Sequence, residues 1–413
     1  MLDRPSSGSS DIFQRYGLRR IINASGTETT KGASPVCPEV IEAVTALVPY
    51  SVDMLELQSV ACHTIARAYG CEAGIVANCS AAGISIAVAA CMTGADLANA
   101  ERLPDTSFMR NEVILQRGHN VTYGGYVTQN VAITGAKIVE IGAATECGAY
   151  QLAPALSPNT AAALYVVSHH TVQSGLVNLE TFCHVAHEHN VPVIVDGAAE
   201  PEPRAFLAAG ADLVITSMHK SFASFTGATI AGKCDLVRAC LYQEKGIGRP
   251  MKVGKEGVIA AIAAVERWEA LDREEAMRAL DRRLRRGKET LDRVPGLKTE
   301  IEIDSTSGLF SRLLIHVDPA EAGLTAYDLS ARLGGLRPAI AVRTLMADIG
   351  LLQVDLRRAS DEVADHIIDS IVQIVGEADA PSAAPRRQGP SPNLADLAAA
   401  SLERFPLSMD RDE

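Results

Sequence analysis

The middle of the chain alternates short apolar runs with longer stretches of helical spacing. The runs NEVILQRG, AKIVEIG, AALYVVS, VPVIVDG and ADLVITS are rich in β-branched residues and are bounded by Gly, Asn or Pro, which is typical of strands. Between them, stretches such as LETFCHVAHEHN place apolar residues three and four positions apart. This alternation predicts an α/β fold with a mostly parallel sheet covered on both faces, whose ligands bind beyond the carboxyl ends of the strands.

The pattern divides the chain into four predicted parts. Residues 1–50 form an N-terminal segment, and residues 51–250 carry the alternating pattern of a large cofactor-binding domain. Near residue 251 a long amphipathic helical region begins, and residues 251–377 are predicted to form an interdomain helix and a small α+β C-terminal domain. Residues 378–413 are predicted to be a low-complexity linker and tail.

The composition narrows the functional classes. A net charge of −12 over 413 residues disfavours a nucleic-acid partner, since the phosphate backbone is bound by basic surfaces. The nine cysteines include no Cys-x-x-Cys pair, which is typical of reduced thiols. The N-terminus is polar, and no apolar run approaches the roughly 18 residues that cross a bilayer. We therefore expect a cytoplasmic protein without a membrane partner.

Two residues at the ends of neighbouring strands carry the chemistry. Asp196 ends the run VPVIVD, and Lys220 follows ADLVITS in the sequence Ser-Met-His-Lys. On one edge of a parallel sheet, this pair fits pyridoxal 5'-phosphate (PLP): the lysine holds the cofactor as a Schiff base and later moves the α-proton, and the aspartate keeps the pyridine nitrogen protonated. Alternatively, Asp196 caps the following helix and Lys220 is a solvated lysine.

Three further features favour the cofactor site. The sequence NCSAAG, with Ser80, Ala81 and Ala82, leads from a strand into a helix whose N-terminal N–H groups can bind a phosphate. Ser217 and His219 flank the lysine, where further phosphate or ring contacts are expected. The sequence RGHN places His119 after a strand, where its flat ring can stack on the cofactor.

These motifs, in this order, resemble those of fold-type I PLP enzymes. The stretches IINASGTETTKGAS, ILQRGHNVTYGG, VPVIVDGAAEPEP, GADLVITSMHKS and GIGRPMKVGKE are similar to the family that contains D-glucosaminate-6-phosphate ammonia-lyase and selenocysteine synthase (L-seryl-tRNA selenium transferase). The resemblance covers about residues 18 to 375. It implies a three-layer aspartate-aminotransferase-like fold with a smaller α+β domain.

Carried over residue by residue, the resemblance makes Lys220 the Schiff-base lysine, Asp196 the pyridinium partner and His119 the stacking residue. Ser80, Ala81 and Ala82 match the phosphate loop. The chain departs from the family pattern at Asn78-Cys79-Ser80-Ala81, where relatives often have Ser-Gly-Ala-Ala, and at Met218-His219, where they often have Gly before the lysine. We expect these departures to make the rim of the substrate pocket different from that of the relatives.

Other candidate residues surround this core. Arg343 lies where fold-type I enzymes often bind the substrate carboxylate, although a surface ion pair is nearly as plausible for it. Arg249 and Lys252 concentrate positive charge for a substrate anion, and His170 and Gln173 follow another strand. The dimeric relatives suggest that Thr226 and Gly227 reach the phosphate of a partner subunit, which implies a homodimer or a higher homo-oligomer built from dimers. The histidines at 184, 187 and 189 lack a full metal motif, so no metal is expected.

The function favoured by these residues is a PLP-dependent α,β-elimination. A hydroxylated amino acid or amino-sugar acid would lose water to give an enamine, which would then be hydrolysed to a 2-keto acid and ammonia. Aminotransfer and aldol cleavage of a β-hydroxy amino acid begin from the same bound substrate and remain alternatives. Selenium transfer is disfavoured by the charge of −12, because the acidic tRNA has to dock. A PLP-binding regulatory protein and a nucleotide-dependent oxidoreductase are weaker alternatives, the latter because GxGxxG is absent.

Overall fold

The computed structural model describes residues 12–378. Except for residue 378, the predicted linker and tail lie outside the described residues, as does the start of the predicted N-terminal segment. In the described range, apart from single-turn 3-10 segments, the chain forms the strands and α-helices given below.

The strands, in chain order, are β1 Ile21–Ala24, β2 Ala73–Ala77, β3 Glu112–Gln116, β4 Lys137–Ile141, β5 Thr160–Val166, β6 Val193–Asp196, β7 Leu213–Ser217, β8 Ala228–Gly232, β9 Leu297–Ile303, β10 Ser311–Val317, β11 Ala339–Val342 and β12 Leu351–Val354. The helices are α1 Ile12–Tyr16, α2 Pro38–Leu47, α3 Met54–Tyr69, α4 Ser80–Thr93, α5 Leu97–Arg102, α6 Val127–Ala132, α7 Ala149–Leu152, α8 Leu179–Glu188, α9 Pro203–Ala208, α10 Cys234–Tyr242, α11 Lys255–Ala270, α12 Arg273–Leu291, α13 Pro319–Ala322, α14 Ala326–Gly335 and α15 Asp361–Gly376.

Seven strands form the main sheet, in the order β2-β8-β7-β6-β5-β3-β4. The five strands from β7 to β4 are mutually parallel, and β8 is antiparallel to both of its neighbours. The apolar runs of the sequence analysis are the parallel strands. Nearly all residues of β3, β5, β6 and β7 are buried because helices cover both faces, whereas in the edge strand β4 only Ile141 is buried. The predicted α/β class with a mostly parallel sheet is confirmed.

The covering helices differ in how much of their surface is buried. Helix α4 packs across β5, β6, β7 and β8 and is buried on almost every side, which explains why its sequence is apolar and small throughout. A Cβ at Gly83 would lie 2.9 Å from Cγ2 of Ile215 in β7, so glycine lets this helix approach the sheet. The start of α4 is therefore held close to the strand that precedes Lys220.

A third layer packs on the far side of the same unit. Helix α11 contacts both α2 and α3, and the core that these helices share includes Tyr69, Phe222 and Trp268. The rings of Phe222 and Trp268 stack with centroids 5.3 Å apart. Because Phe222 lies two residues after Lys220, this aromatic cluster anchors the loop that carries the lysine.

The described chain divides into two compact units. The first contains residues 27–276 and 304–310, and so holds the whole main sheet. The second contains residues 12–26, 277–303 and 311–378, with the antiparallel sheet β12-β10-β9 and the parallel pair β1-β11. The limits predicted from the sequence, at 50/51 and 250/251, stay predictions.

A buried carboxylate organises the second unit. Asp355, just after β12, accepts hydrogen bonds from Arg312 and Arg357, at 3.4 and 2.6 Å at the closest. Burial alone would raise the pKa of Asp355, but the two guanidinium groups overcome it and hold the pKa at about 2. The network thus stabilises the ionised form of Asp355 inside this unit.

Candidate active site

Parallel strands bring the predicted site residues to one edge of the main sheet. Strands β5, β6 and β7 are in register there, with Val166 beside Asp196 and Asp196 beside Ile215. Lys220 lies three residues beyond the end of β7. Residues far apart in sequence therefore share the carboxyl edge, as the alternation of strands and helices predicts.

Asp196 ends β6 with its side chain buried, at 6 % exposure. Its Oδ1 accepts a hydrogen bond of 3.2 Å from the N–H of Ala198. Burial raises the pKa of Asp196 to about 6, although the positive charge of Lys220 and the Ala198 N–H both act to lower it. The carboxylate is therefore costly in this position and would gain from a second cation.

Lys220 is partly buried in a loop that is fixed through its backbone. The Ser34 hydroxyl donates to the Lys220 carbonyl at 2.9 Å, and the Ser34 N–H donates to the His219 carbonyl at 3.2 Å. Ala223, in the same loop, has a φ of 53°, in the left-handed region that non-glycine residues rarely occupy. Burial lowers the pKa of Lys220, and the charges of Asp196 and Glu200 partly offset this effect.

His119 lies in the single 3-10 turn after β3 and is 2 % exposed. Its Nδ1 accepts a hydrogen bond of 3.3 Å from the N–H of Val166, the residue beside Asp196 in the sheet. Its ring meets that of Tyr165 edge to face, with centroids 4.4 Å apart. Burial lowers the pKa of His119 to about 4, so the imidazole is neutral near pH 7 and its orientation is fixed.

The predicted phosphate loop is the first turn of α4, which begins at Ser80. The Cys79 Sγ accepts a hydrogen bond of 3.5 Å from the N–H of Ala82 and so caps the helix. The Ser80 hydroxyl oxygen is buried and has no hydrogen-bond partner among the described residues. A buried hydroxyl without a partner, at a helix N-terminus, is the kind of group that a bound anion satisfies.

A second buried polar atom without a hydrogen-bond partner among the described residues belongs to His219. Ser217 Oγ and His219 Nδ1 lie 3.4 Å apart, while His219 Nε2 is buried without a partner in the described part of the chain. Burial lowers the pKa of His219, and the charge of Lys220 lowers it further. Gly227 is buried and its carbonyl accepts from the Met218 N–H at 2.9 Å, whereas Thr226 is exposed.

Four of the predicted substrate residues lie on exposed segments of the main unit. His170 and Gln173 belong to the loop after β5, where the rings of His169 and His170 lie 3.9 Å apart. The Gln173 amide donates to the carbonyls of Ser168 and Thr171, so it is engaged within its own loop. The other two, Arg249 and Lys252, are exposed around the 3-10 turn before α11.

Arg343 belongs to the other unit. It forms an antiparallel bridge with Gln353, and its N–H donates to the Gln353 carbonyl at 3.0 Å. Its predicted contact with the substrate carboxylate stays a prediction.

Three residues near the site were not singled out from the sequence. Ser34 fixes the lysine loop, and Glu200 is a buried carboxylate on the loop after β6. Tyr123 accepts a hydrogen bond from the Asn130 amide, while the Asn130 carbonyl accepts from Ser85 on α4 at 2.7 Å. Local sequence patterns do not predict these contacts, because they join residues between 7 and 186 positions apart in the chain.

Tyr123 interacts electrostatically with Asp196, at the end of β6, and with Cys79, at the start of α4. Tyr123 is 39 % exposed, but the burial of its phenol raises the pKa of this group, and the negative charge of Asp196 raises it further. The phenol is therefore a proton donor at neutral pH, placed where it senses the aspartate and the cap of α4. Its only signal in the sequence was its place in the stretch ILQRGHNVTYGG.

Metal and membrane features are not found in residues 12–378. No cluster of three metal-ligating side chains occurs in this range. Nor does any helix there have the length and hydropathy needed to span a membrane. His187, one of the three histidines without a metal motif, pairs with the buried Asp212 at 2.8 Å and so has a structural contact.

Comparison with known proteins identifies the family. The family model for L-seryl-tRNA selenium transferase matches residues 21–285, well over half of the chain. The chain belongs to this family. It is 36 % identical over 370 residues to D-glucosaminate-6-phosphate ammonia lyase of Salmonella typhimurium (strain 14028s / SGSC 2262), covering 87 % of this chain and 99 % of that protein. It is 35 % identical over 375 residues to 5'-C-glycyluridine monooxygenase-decarboxylase of Streptomyces sp, covering 90 % and 94 %.

Solved structures agree with this membership in the selenium transferase family. A structure of D-glucosaminate-6-phosphate ammonia-lyase has a TM-score of 0.80 at 35 % identity and covers 90 % of this chain and 99 % of that one. Aspartate aminotransferase from Thermus thermophilus has a TM-score of 0.51 at 15 % identity, covers 88 % and 93 %, and supports the fold alone. The predicted family, the aspartate-aminotransferase-like fold and membership of the fold-type I PLP enzymes are confirmed.

Proposed function

We propose that this protein is a PLP-dependent lyase that eliminates water from a hydroxylated amino acid or amino-sugar acid to give an enamine, whose imine form is then hydrolysed by water to a 2-keto acid and ammonia. The observation that carries the proposal is the joint placement of Asp196 and Lys220 at the carboxyl edge of the sheet. The 36 % identity to an ammonia lyase over almost the whole of that relative supports the elimination.

The residues present fit PLP. Its phosphate has a match in the start of α4, where the buried Ser80 hydroxyl and the N–H of Ala81 offer donors. The Ala82 N–H, which donates to Cys79 Sγ at 3.5 Å in this structure, is proposed to turn to the phosphate when the cofactor binds. His219 Nε2 is a further buried atom suited to a polar contact. Asp196, whose carboxylate is costly alone, fits the protonated pyridine nitrogen. When bound, PLP supplies an electron sink for the pair of electrons left at Cα after deprotonation.

The side chains of this chain then have separate tasks. Lys220 is the attachment point of the cofactor and, once released by the substrate, takes the Cα proton at Nζ. Its burial helps, because a lowered pKa increases the neutral fraction that accepts a proton. His119, neutral and fixed by the Val166 N–H, presents a flat ring to hold the cofactor plane. Ser217, Thr226 and Gly227 are proposed to complete the cofactor contacts.

For the substrate we propose an acid that carries a second anionic group. Arg249 and Lys252 are exposed cations in the main unit and suit a phosphate, the group named in D-glucosaminate-6-phosphate. Arg343 is proposed to bind the carboxylate, which its planar guanidinium can hold with two hydrogen bonds. His170 and Gln173 are proposed to contact the substrate from the loop after β5.

We also propose that the enzyme is a homo-oligomer built from dimers. Large apolar side chains are exposed on the segment from α2 to α3, among them Ile41, Val48, Tyr50, Leu55 and Val60. Tyr50 and Leu55 are 67 % and 63 % exposed, and a second copy of the chain would bury them. The nine cysteines are all free, which supports a reducing compartment such as the cytoplasm.

The test is loss of colour and turnover on Lys220→Ala. Purified protein supplied with PLP is expected to show the visible absorbance of a lysine-bound cofactor, and borohydride should fix the label on the Lys220 peptide. Lys220→Ala should lose both, while Lys245→Ala, which removes an exposed lysine of the same unit, should keep both. A folded Lys220→Ala protein that retains the absorbance and the label would refute the assignment.

The reaction is tested on D-glucosaminate 6-phosphate and on D- and L-β-hydroxy amino acids. Release of equal amounts of ammonia and 2-keto acid, without an added keto acid or consumption of oxygen, is the expected result. Amino-group transfer to an added keto acid, or release of an aldehyde, would instead indicate the aminotransferase or aldolase alternative.

A second candidate function is an oxidative decarboxylation. It is favoured by the 35 % identity to a monooxygenase-decarboxylase, which nearly equals the identity to the lyase. Oxygen uptake matched by release of carbon dioxide, with a glycyl-nucleoside as substrate, would support it over elimination.

A further inference from the structure

Glu200 is a second buried carboxylate beside the lysine. It stands four residues after Asp196, on the loop that leaves β6, and is 6 % exposed. Its N–H donates to the Gly197 carbonyl at 3.0 Å, which closes a tight turn. Burial of an ionisable side chain is unfavourable unless an opposite charge or a set of hydrogen bonds compensates for it, so its position has to be explained.

The loop that carries Glu200 is joined to the lysine loop on both sides of Lys220. Before the lysine, the Ser217 N–H donates to the Ala198 carbonyl at 3.1 Å. After it, the Ser221 hydroxyl donates to the Ala199 carbonyl at 2.7 Å. The two hydrogen bonds fix the backbone immediately before Glu200 against the backbone that flanks Lys220.

The charges that act on Lys220 come from these same two loops. Asp196 and Glu200 both favour its protonated form and oppose the effect of burial. His219, on the lysine loop, interacts with Lys220 and is itself kept neutral mainly by burial. Tyr123 faces Asp196 as a protonated phenol. Asp196 and Glu200 are therefore the two anions that compensate the lysine.

We propose that Glu200 is a positioning residue of the active site, which stabilises the protonated Lys220 amine once Asp196 is paired with the cofactor nitrogen. This rests on the proposed function and deepens it. When Asp196 is paired with the cofactor nitrogen it compensates the charge of Lys220 less, and Glu200 is the other anion that acts on this lysine.

The role matters at one point of the elimination. Lys220 Nζ takes the proton from Cα and becomes an ammonium group. It then gives that proton to the β-oxygen as the carbon–oxygen bond breaks, so that water leaves and no other proton donor is needed. Between the two transfers the ammonium is buried, and Glu200 lowers its free energy there.

The experiment measures the protonation of Lys220 directly. Full-length protein freed of cofactor is labelled with limiting acetic anhydride at a series of pH values, and the Lys220 and Lys245 peptides are quantified by mass spectrometry. Glu200→Gln is expected to raise Lys220 labelling near neutral pH by at least about threefold, because removing one nearby anion increases the neutral fraction of the amine. Lys245 should not change.

Matched variants separate charge from structure. Glu202→Gln, on the same loop but without an action on Lys220, should label like wild type. Glu200→Asp retains the charge and withdraws it by one methylene, so its labelling should lie between wild type and Glu200→Gln. If Glu200→Gln does not fold, the labelling of Lys220 in Glu200→Asp is compared with wild type in its place. In the holoenzyme, the acidic limb of the pH profile of kcat should move to lower pH for Glu200→Gln.

Unchanged Lys220 labelling in folded Glu200→Gln, or an equal change in Glu202→Gln, overturns the proposal. The labelling uses protein without cofactor, so its result does not depend on the proposed lyase activity. Failure of that activity would instead be seen as no release of ammonia and 2-keto acid by the holoenzyme.

Discussion

Replacing Asp196 by Asn should stabilise the protein without cofactor and weaken its hold on PLP. The two carboxylate oxygens become an amide of nearly the same shape, and the hydrogen bond from the Ala198 N–H to Oδ1 is retained. What disappears is a buried negative charge. In the holoenzyme that charge is proposed to pair with the cofactor nitrogen, whereas in the apoprotein Lys220 and the Ala198 N–H compensate it.

The magnitude follows from the pKa of Asp196, which burial raises from 3.8 to about 6. Each tenfold change in an ionisation constant corresponds to about 1.4 kcal/mol, so ionising Asp196 in the folded apoprotein costs about 3 kcal/mol more than in the unfolded chain. Because the pKa of this carboxyl is higher in the folded than in the unfolded state, the stability of the folded apoprotein is greatest below about pH 4, where Asp196 is protonated in both states. About 3 kcal/mol of that stability is lost as the pH rises through about 6. At pH 8 the variant should gain up to about 3 kcal/mol, reduced by the weaker compensation of Lys220.

The assay is urea unfolding of the apoprotein between about pH 4.5 and 8, a range that begins just above the unfolded pKa of 3.8 and includes the folded pKa of about 6. Fluorescence of the single tryptophan, Trp268, reports on the unit that contains Asp196. Wild type should lose stability over this range relative to Asp196→Asn, and an exposed control, Asp281→Asn, should follow wild type. Parallel pH curves for wild type and Asp196→Asn, or undiminished PLP retention by the variant, would show that the carboxylate is not held as argued.

Two further predictions concern the cofactor site and the second unit. Tyr123, 39 % exposed, is proposed to donate a hydrogen bond from its phenol to the cofactor beside Asp196, so Tyr123→Phe should weaken PLP binding by about threefold to tenfold. Tyr126→Phe, on the same loop and 61 % exposed, should bind normally, and equal affinities of the two variants by fluorescence titration would contradict this. Asp355→Asn should destabilise the second unit by about 2 kcal/mol at pH 7, because Arg357 and Arg312 lower the pKa of Asp355 from 3.8 to about 2. A lowered carboxyl pKa gives stability that is present above pH 4 and is lost as the pH falls through 2, so circular dichroism melts of wild type and variant should converge in acid.

The sequence was most informative where a physical requirement acts on neighbouring residues. Strands buried on both faces must be apolar throughout, so the runs around Val193–Asp196 and Leu213–Ser217 identified the parallel sheet. The carboxyl ends of such strands must meet at one edge of the sheet, so the sequence alone predicts that Asp196 and Lys220 lie on the same edge. The helix that begins at Ser80 was predictable because only small residues fit between it and the sheet.

Other features required the tertiary structure because they depend on contacts between distant segments. Ser34 binds the backbone at Lys220 across 186 residues, and Tyr123 is held by Asn130 beside a helix that starts at Ser80. No periodicity marks such residues, since a single hydrogen bond constrains one position and leaves its neighbours free. The pKa values of Asp196 and Lys220 have the same origin, because desolvation depends on everything packed around a group. Sequence thus determined the sheet and its reactive pair, and folding determined the environment that sets their charge.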